Sequence, residues 1–345
     1  STSNPRYARN MSKLKKKIIS VALILLIIPA IFLTNCRKTE NPIKFESGIF
    51  PDSVYNLTGI NSAYDDYNMA LFELQDMLPA IFSSNRGSNG GQFDLVQGLI
   101  LLTFNQTTGI FNISSEMGTN AYLAKLISTV TTPGNDFGPY SFFSPADGNE
   151  YLILSSLNAA GNLDFFYTKN QPAFGQSVPQ IDGPYPAKLL NSGSDEAYIS
   201  LDANQDTAYF CSNQEGNFDI YFHEIPEDIT IDSWLNGDYE PSSKAGPLNS
   251  TADDKCPFVY RKVMVFASNR DGGFGGYDLY YSEYSNGTWG APINFGPLIN
   301  SASDEYRPVI GGLEDYSNNF LIFSSNRPGG AGGYDLYFTG TEIVR

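Results

Sequence analysis

The sequence has a single histidine and only three cysteines in 345 residues. A zinc site built on histidines is excluded by that count. No Gly-x-Ser-x-Gly is present, so hydrolysis by a histidine-activated serine lacks its parts. The one histidine, His223, stands in "YFHEIPED", where a strand is expected to end and a connection to begin. Basic residues are scarce too: 21 Lys and Arg face 37 Asp and Glu, a formal charge of −16. Nucleic acid is thereby a poor partner, as is an anionic lipid surface.

Six of the 21 basic residues lie at the N-terminus, before Cys36. Lys13, Lys15, Lys16 and Lys17 precede an apolar run, Ile18 to Leu33, which ends in "TNC" at Cys36. A basic segment followed by an apolar one predicts a secretory signal over residues 11–35, opening at Met11, with residues 1–10 as an upstream extension. The run is shorter than the ~20 residues of a spanning helix and contains Pro29. "LTNC" resembles a lipobox, with Asn35 where Gly, Ala or Ser is usual. That resemblance implies lipidation of Cys36 and an anchor at the outer membrane of a bacterial envelope, followed by a linker to residue 50. Removal of residues 1–35 takes away six basic residues and leaves 15 against 37 acidic ones, a charge of −22. Cys211 and Cys256 remain and are read as two separately buried thiols, with a disulfide as the alternative.

What is abundant is aromatic: 22 Tyr and 24 Phe, with 32 Gly and 20 Pro. This mix favours short strands and tight turns. The strands come in a repeating unit. "SNRPGGAGGYDLYF" (Ser325–Phe338) nearly duplicates "SNRDGGFGGYDLYY" (Ser268–Tyr281). Weaker copies place the equivalent serines at Ser84, Ser156 and Ser212, so the spacings are 72, 56, 56 and 57 residues. A second signature precedes each copy, clearest as "NSASDEYRPVI" (Asn300–Ile310). Four short strands per unit and a period in the fifties predict a β-propeller, in which neighbouring blades bury each other's faces.

These motifs resemble the WD40-like repeat of TolB-related propellers of the bacterial envelope, over residues 51–345. The expected fold is all-β, a single propeller domain of five four-stranded blades. "GIFPDSVYNL" (Gly48–Leu57) is expected to close the ring by supplying the outer strand of the last blade. Six blades are the alternative, with Leu99–Ser115 as the only room for a sixth.

The glycine-rich loops lead into strands, not helices, so they are read as turns and not as phosphate cradles. Asp94, Asp164, Asp219, Asp278 and Asp335 follow those turns and are expected to accept hydrogen bonds from them. Acidic pairs open each inner strand: Asp65/Asp66, Asp195/Glu196, Asp253/Asp254 and Asp304/Glu305, with Asp136 as the copy in the second unit. Repetition in every blade points to an architectural role. A divalent cation, Ca2+ for instance, held at the channel mouth by Asp65, Asp195, Asp253 and Asp304 is the functional alternative. "DANQD" (Asp202–Asp206) matches half a calcium loop, but Thr207 stands where its glycine belongs, so it is read as a hairpin turn.

The functional expectation is a non-enzymatic scaffold that presents loops to envelope proteins or glycans, with no cofactor. Its rival is a carbohydrate-active enzyme, similar to a glycoside hydrolase, that uses the channel-mouth carboxylates.

Overall fold

The computed structural model describes residues 42–72, 77–172 and 178–343. The upstream extension, the signal segment, Cys36 and the first part of the linker lie outside the described residues. The chain divides into two units. Of the first, residues 42–46 and 106–109 are described, and the amides of Lys44 and Phe45 both donate to the carbonyl of Gln106. The second, Ser47–Asn105 with Ile110–Arg345, is a five-bladed propeller.

A two-residue strand, β1 (Tyr55–Asn56), comes first. Blade 1 follows with β2 (Asp66–Leu71), β3 (Met77–Ser84), β4 (Asp94–Phe104) and β5 (Phe111–Met117). Blade 2 has β6 (Asp136–Ser144), β7 (Asn149–Leu157), β8 (Leu163–Asn170) and β9 (Asp182–Pro186). Blade 3 has β10 (Glu196–Leu201), β11 (Thr207–Ser212), β12 (Asp219–Glu224) and β13 (Ser243–Lys244). In blade 4, β14 (Asp254–Tyr260), β15 (Val263–Ser268) and β16 (Asp278–Ser285) are followed by β17 (Thr288–Trp289) and β18 (Ile293–Asn294), which share the edge of β16. Blade 5 has β19 (Glu305–Gly312), β20 (Asn319–Ser325) and β21 (Asp335–Thr341). Its outer strand is β1, antiparallel to β21 with Tyr55 opposite Phe338. The ring is thus closed by the segment expected to close it. The six-blade alternative falls, because Leu99–Ser115 pairs as the β4–β5 hairpin of blade 1.

The second strand of each blade shows why the fold needs a ring. "VMVFAS" in β15 and "NFLIFSS" in β20 are buried at every position. A strand buried on both faces reads as a continuous apolar run and needs a neighbour on each side. Five apolar clusters sit between successive blades, one at each boundary. A ten-residue helix, α1 (Ala121–Val130), accounts for the longer first repeat. Asn120 caps it by accepting the Leu123 N–H at 3.0 Å. Its Leu123, Leu126 and Val130 pack between blades 1 and 2 against Ile81 and Leu154. A short helix, α2 (Ile231–Leu235), fills the insert of blade 3.

Candidate functional site

The acidic pairs that open the inner strands are split by the fold, and each half has its own task. The second carboxylate is buried in every blade: Asp66, Asp136, Glu196, Asp254 and Glu305. It accepts both the backbone N–H and the hydroxyl of the Ser or Thr four residues earlier. Ser301 reaches Glu305 at 2.8 and 2.6 Å, and Ser62 reaches Asp66 at 2.6 and 2.8 Å. Ser84, Ser212 and Ser325, which end the second strands, donate to the same carboxylates. The two repeated signatures are therefore halves of one hydrogen-bonded latch.

Three latches carry an arginine and two do not. Arg86 pairs with Asp66 at 2.5 Å, Arg270 with Asp254 at 2.5 Å and Arg327 with Glu305 at 2.9 Å. Asn158 and Gln214 take the arginine's place in blades 2 and 3. Burial pushes the Asp136 carboxyl up to about 6, against the hydrogen bonds of Thr132 and Ser156 and with help from the charge of Asp94. Burial raises Glu196 too, and the charge of Asp164 acts in the same direction.

The first residue of each pair joins one blade to its neighbour. Asp65 accepts the Tyr334 N–H at 2.9 Å, Asp195 that of Leu163 at 2.8 Å, Asp253 that of Phe218 at 3.0 Å and Asp304 that of Tyr277 at 2.9 Å. In blade 2 the same bond, from Phe93, goes to the amide oxygen of Asn135 at 2.9 Å. The four carboxylates are distributed around the ring, each on the backbone N–H of a neighbouring blade. Among the described residues no three His, Cys, Asp or Glu side chains are grouped to hold a metal.

These residues remain half-exposed at the mouth formed by the N-terminal ends of the inner strands, and aromatic rings stand between them. Tyr67 lies 5.0 Å from Phe93, 6.0 Å from Phe137 and 5.7 Å from Tyr334, centroid to centroid. On the other side Lys255 sits 3.9 Å over the Phe218 ring, with Tyr277 beside it. The Tyr277 and Tyr334 hydroxyls donate to Asp253 and Asp304 at 2.7 and 2.8 Å. Burial pushes the Asp253 carboxyl up. The Tyr277 hydroxyl, the Phe218 amide and the Lys255 ammonium outweigh it and leave Asp253 below the usual carboxylate range. Asp253 is thus ionised at neutral pH.

The aspartates after the turns do not share one role. Asp278 and Asp335 accept turn amides, from Phe274 and Ala331 respectively, as expected. Asp94 accepts the Gln92 side chain instead, and Asp219 pairs with Lys244 at 2.7 Å. Asp164 has one buried oxygen with no hydrogen-bond partner, and the turn amides of Ala160 and Asn162 donate to the Asn158 side chain. Asp202 accepts the Asp206 and Thr207 amides and closes the β10–β11 hairpin, and His223 packs by Trp234. Neither belongs to the mouth.

Deeper in the channel lies a layer that the sequence reading missed. Two residues after each buried carboxylate the inner strand bulges, at Asn68, Gly138, Tyr198, Cys256 and Arg307, all with positive φ. Tyr198 crosses the axis. Its hydroxyl lies 3.5 Å from the Asn68 amide, and the Arg307 guanidinium lies 5.6 Å from its ring. Gly138 must be glycine, since a Cβ there would lie 2.4 Å from the Tyr198 ring. The visible signal was alignment: "DYN", "DFG", "EAY", "DKC" and "EYR" place the five variable residues in register. Cys256 belongs to this layer and Cys211 packs against it, both as free, fully buried thiols. Burial pushes the Cys256 thiol up to about 12, so it is inert at neutral pH.

No protein-family model matches the chain, and no curated protein matches it. Solved structures do. An endo-arabinase from Bacteroides thetaiotaomicron superposes with a TM-score of 0.50 at 13% identity, covering 87% of this chain and 99% of that one. The catalytic domain of a GH62 α-L-arabinofuranosidase from Coprinopsis cinerea superposes with a TM-score of 0.51 at 12% identity, covering 86% and 98%. At such identity the likeness is one of fold, the five-bladed propeller. It corrects the expected kinship with TolB-related lipoproteins, because the structures found are glycoside hydrolases. The same finding corrects the expectation of a non-enzymatic scaffold.

Proposed function

We propose that this chain is a carbohydrate-active enzyme of the glycoside hydrolase kind, working at the mouth ringed by Asp65, Asp195, Asp253 and Asp304. The observation that carries the reading is the alternation there of half-exposed carboxylates with half-exposed aromatic rings. Aromatic faces suit the apolar faces of sugar rings, and carboxylates suit hydroxyls and glycosidic oxygens. Glycoside hydrolysis needs two carboxyl groups in different states, one as acid and one as base or nucleophile. Asp253, kept ionised by Tyr277, Phe218 and Lys255, has the properties of the base or nucleophile. The acid is to be sought among the other three. The signal segment read at residues 11–35 would carry such an enzyme to glycans outside the cytoplasm.

The names of the similar structures make arabinose-containing polysaccharides the first substrates to try. Electrophoresis of the full chain through gels containing arabinan, xylan or neither tests the reading, together with reducing-end release in solution. Retardation and release with one of these polysaccharides are expected. Unchanged mobility and no release across a wider polysaccharide panel would overturn it.

A further inference from the structure

Arg307 is the odd member of the axial layer. It is 1% exposed, and no carboxylate pairs with it among the described residues. Its Nη2 donates to the Pro139 carbonyl at 3.2 Å, while Nε and Nη1 have no hydrogen-bond partner. The neighbours of the guanidinium are the Tyr198 and Tyr140 rings and the thiols of Cys256 and Cys211, all neutral at pH 7. A guanidinium stays protonated in proteins, so a whole positive charge stands on the axis with spare donors. The three arginines at the other mouth each have a carboxylate, and Arg261, which has none, is exposed, so Arg307 is the buried arginine without a counter-charge among the described residues.

Arg307 also lines a cavity of about 240 Å³ that opens at the opposite mouth, among the C-terminal halves of the inner strands. Phe72, Tyr140, Phe258 and Tyr260 form its half-exposed rim, with Met69 and Ile310 among its buried walls. The volume equals that of roughly eight waters. Apolar walls with one buried charge favour a ligand that has an apolar body and one anionic end.

We propose that this cavity binds a small organic monocarboxylate, its carboxylate on Arg307 and its apolar body against Phe72, Phe258 and Ile310. The site stands at the far mouth from the acidic ring and does not rest on the glycan reading. A charge-assisted hydrogen bond from a buried guanidinium supplies the anchor, and the aromatic rim supplies selectivity against hydrated inorganic ions.

Isothermal titration calorimetry of the full chain with sodium butyrate and sodium benzoate tests the proposal, with butyramide and benzamide as uncharged controls of the same shape. At least one acid is expected to saturate a single site and to bind about tenfold or more tightly than its amide. Arg307→Gln is expected to abolish that difference. Should this variant fail to fold, the comparison of acid with amide on the unaltered chain decides alone. Equal binding of acid and amide, no saturation by either acid, or tighter binding of chloride or phosphate would overturn the proposal.

Discussion

Asp65 accepts the backbone N–H of Tyr334 at 2.9 Å and so ties the first blade to the last. Asn135 makes the equivalent bond from blade 2 with an uncharged oxygen. The lock therefore needs an acceptor and not a charge. This separates architecture from chemistry at every carboxylate of the mouth.

Asp65→Ala should cost ~1–3 kcal/mol, the penalty for leaving a part-buried N–H without its acceptor. Asp65→Asn should cost less than half as much. Urea unfolding of the two variants checks the difference, and equal losses would deny the lock.

The carboxylates without an arginine set a pH dependence. Asp136 has its folded pKa raised from 3.8 to about 6. The folded state then binds the proton more tightly than the unfolded state. Its favourable contribution is full below about pH 4 and is lost as the pH rises through about 6. Glu196 shifts in the same direction. Asp136→Asn should flatten the curve of urea midpoint against pH between about 4 and 6. An unchanged slope would mean that Asp136 does not titrate in that window.

The converse experiment supplies the missing arginine. Gln214 donates its N–H to Ser212 as Arg270 donates to Ser268, so the backbone is already in place. Gln214→Arg should pair with the buried Glu196 and stabilise the fold by ~1–2 kcal/mol at pH 7. Arg270→Met should cost ~3–5 kcal/mol by leaving Asp254 buried and unpaired. Denaturation midpoints measure both.

Phe93 stands edge-on to Tyr67 at the mouth and also donates its N–H to Asn135 through the backbone. Phe93→Ala removes the ring and keeps that bond. It should weaken glycan binding about tenfold or more with a smaller effect on the unfolding midpoint. Affinity electrophoresis in a gel containing the polysaccharide that binds checks it.

The blade plan was legible because each unit repeats the same closing chemistry. Serine, asparagine and aspartate recur at fixed offsets wherever a turn or a boundary between blades needs them. Even the exceptions were written out, as "SLN" and "SNQ" in place of "SNR". Their consequence was hidden, since it depends on a carboxylate eighteen to twenty-two residues away, Glu196 for Gln214 and Asp136 for Asn158, being buried beside them. The axial layer was hidden for a different reason. Asn68, Tyr198 and Arg307 meet only because three inner strands from separate blades converge, and no local pattern encodes that meeting. The motifs named a fold, and the function inferred with it did not follow, because latches are what propellers of unrelated activity share.

The most direct test of the central claim is Asp253→Asn. Asn135 shows that an amide can hold this position in the ring, so the variant should keep its fold and urea midpoint close to the parent's. The measurement is reducing-end release by parent and variant from the polysaccharide that the parent cleaves. The account predicts a loss of about a hundredfold or more in kcat with little change in stability. Undiminished release by Asp253→Asn, or no release by the parent from any polysaccharide of the panel, would contradict it.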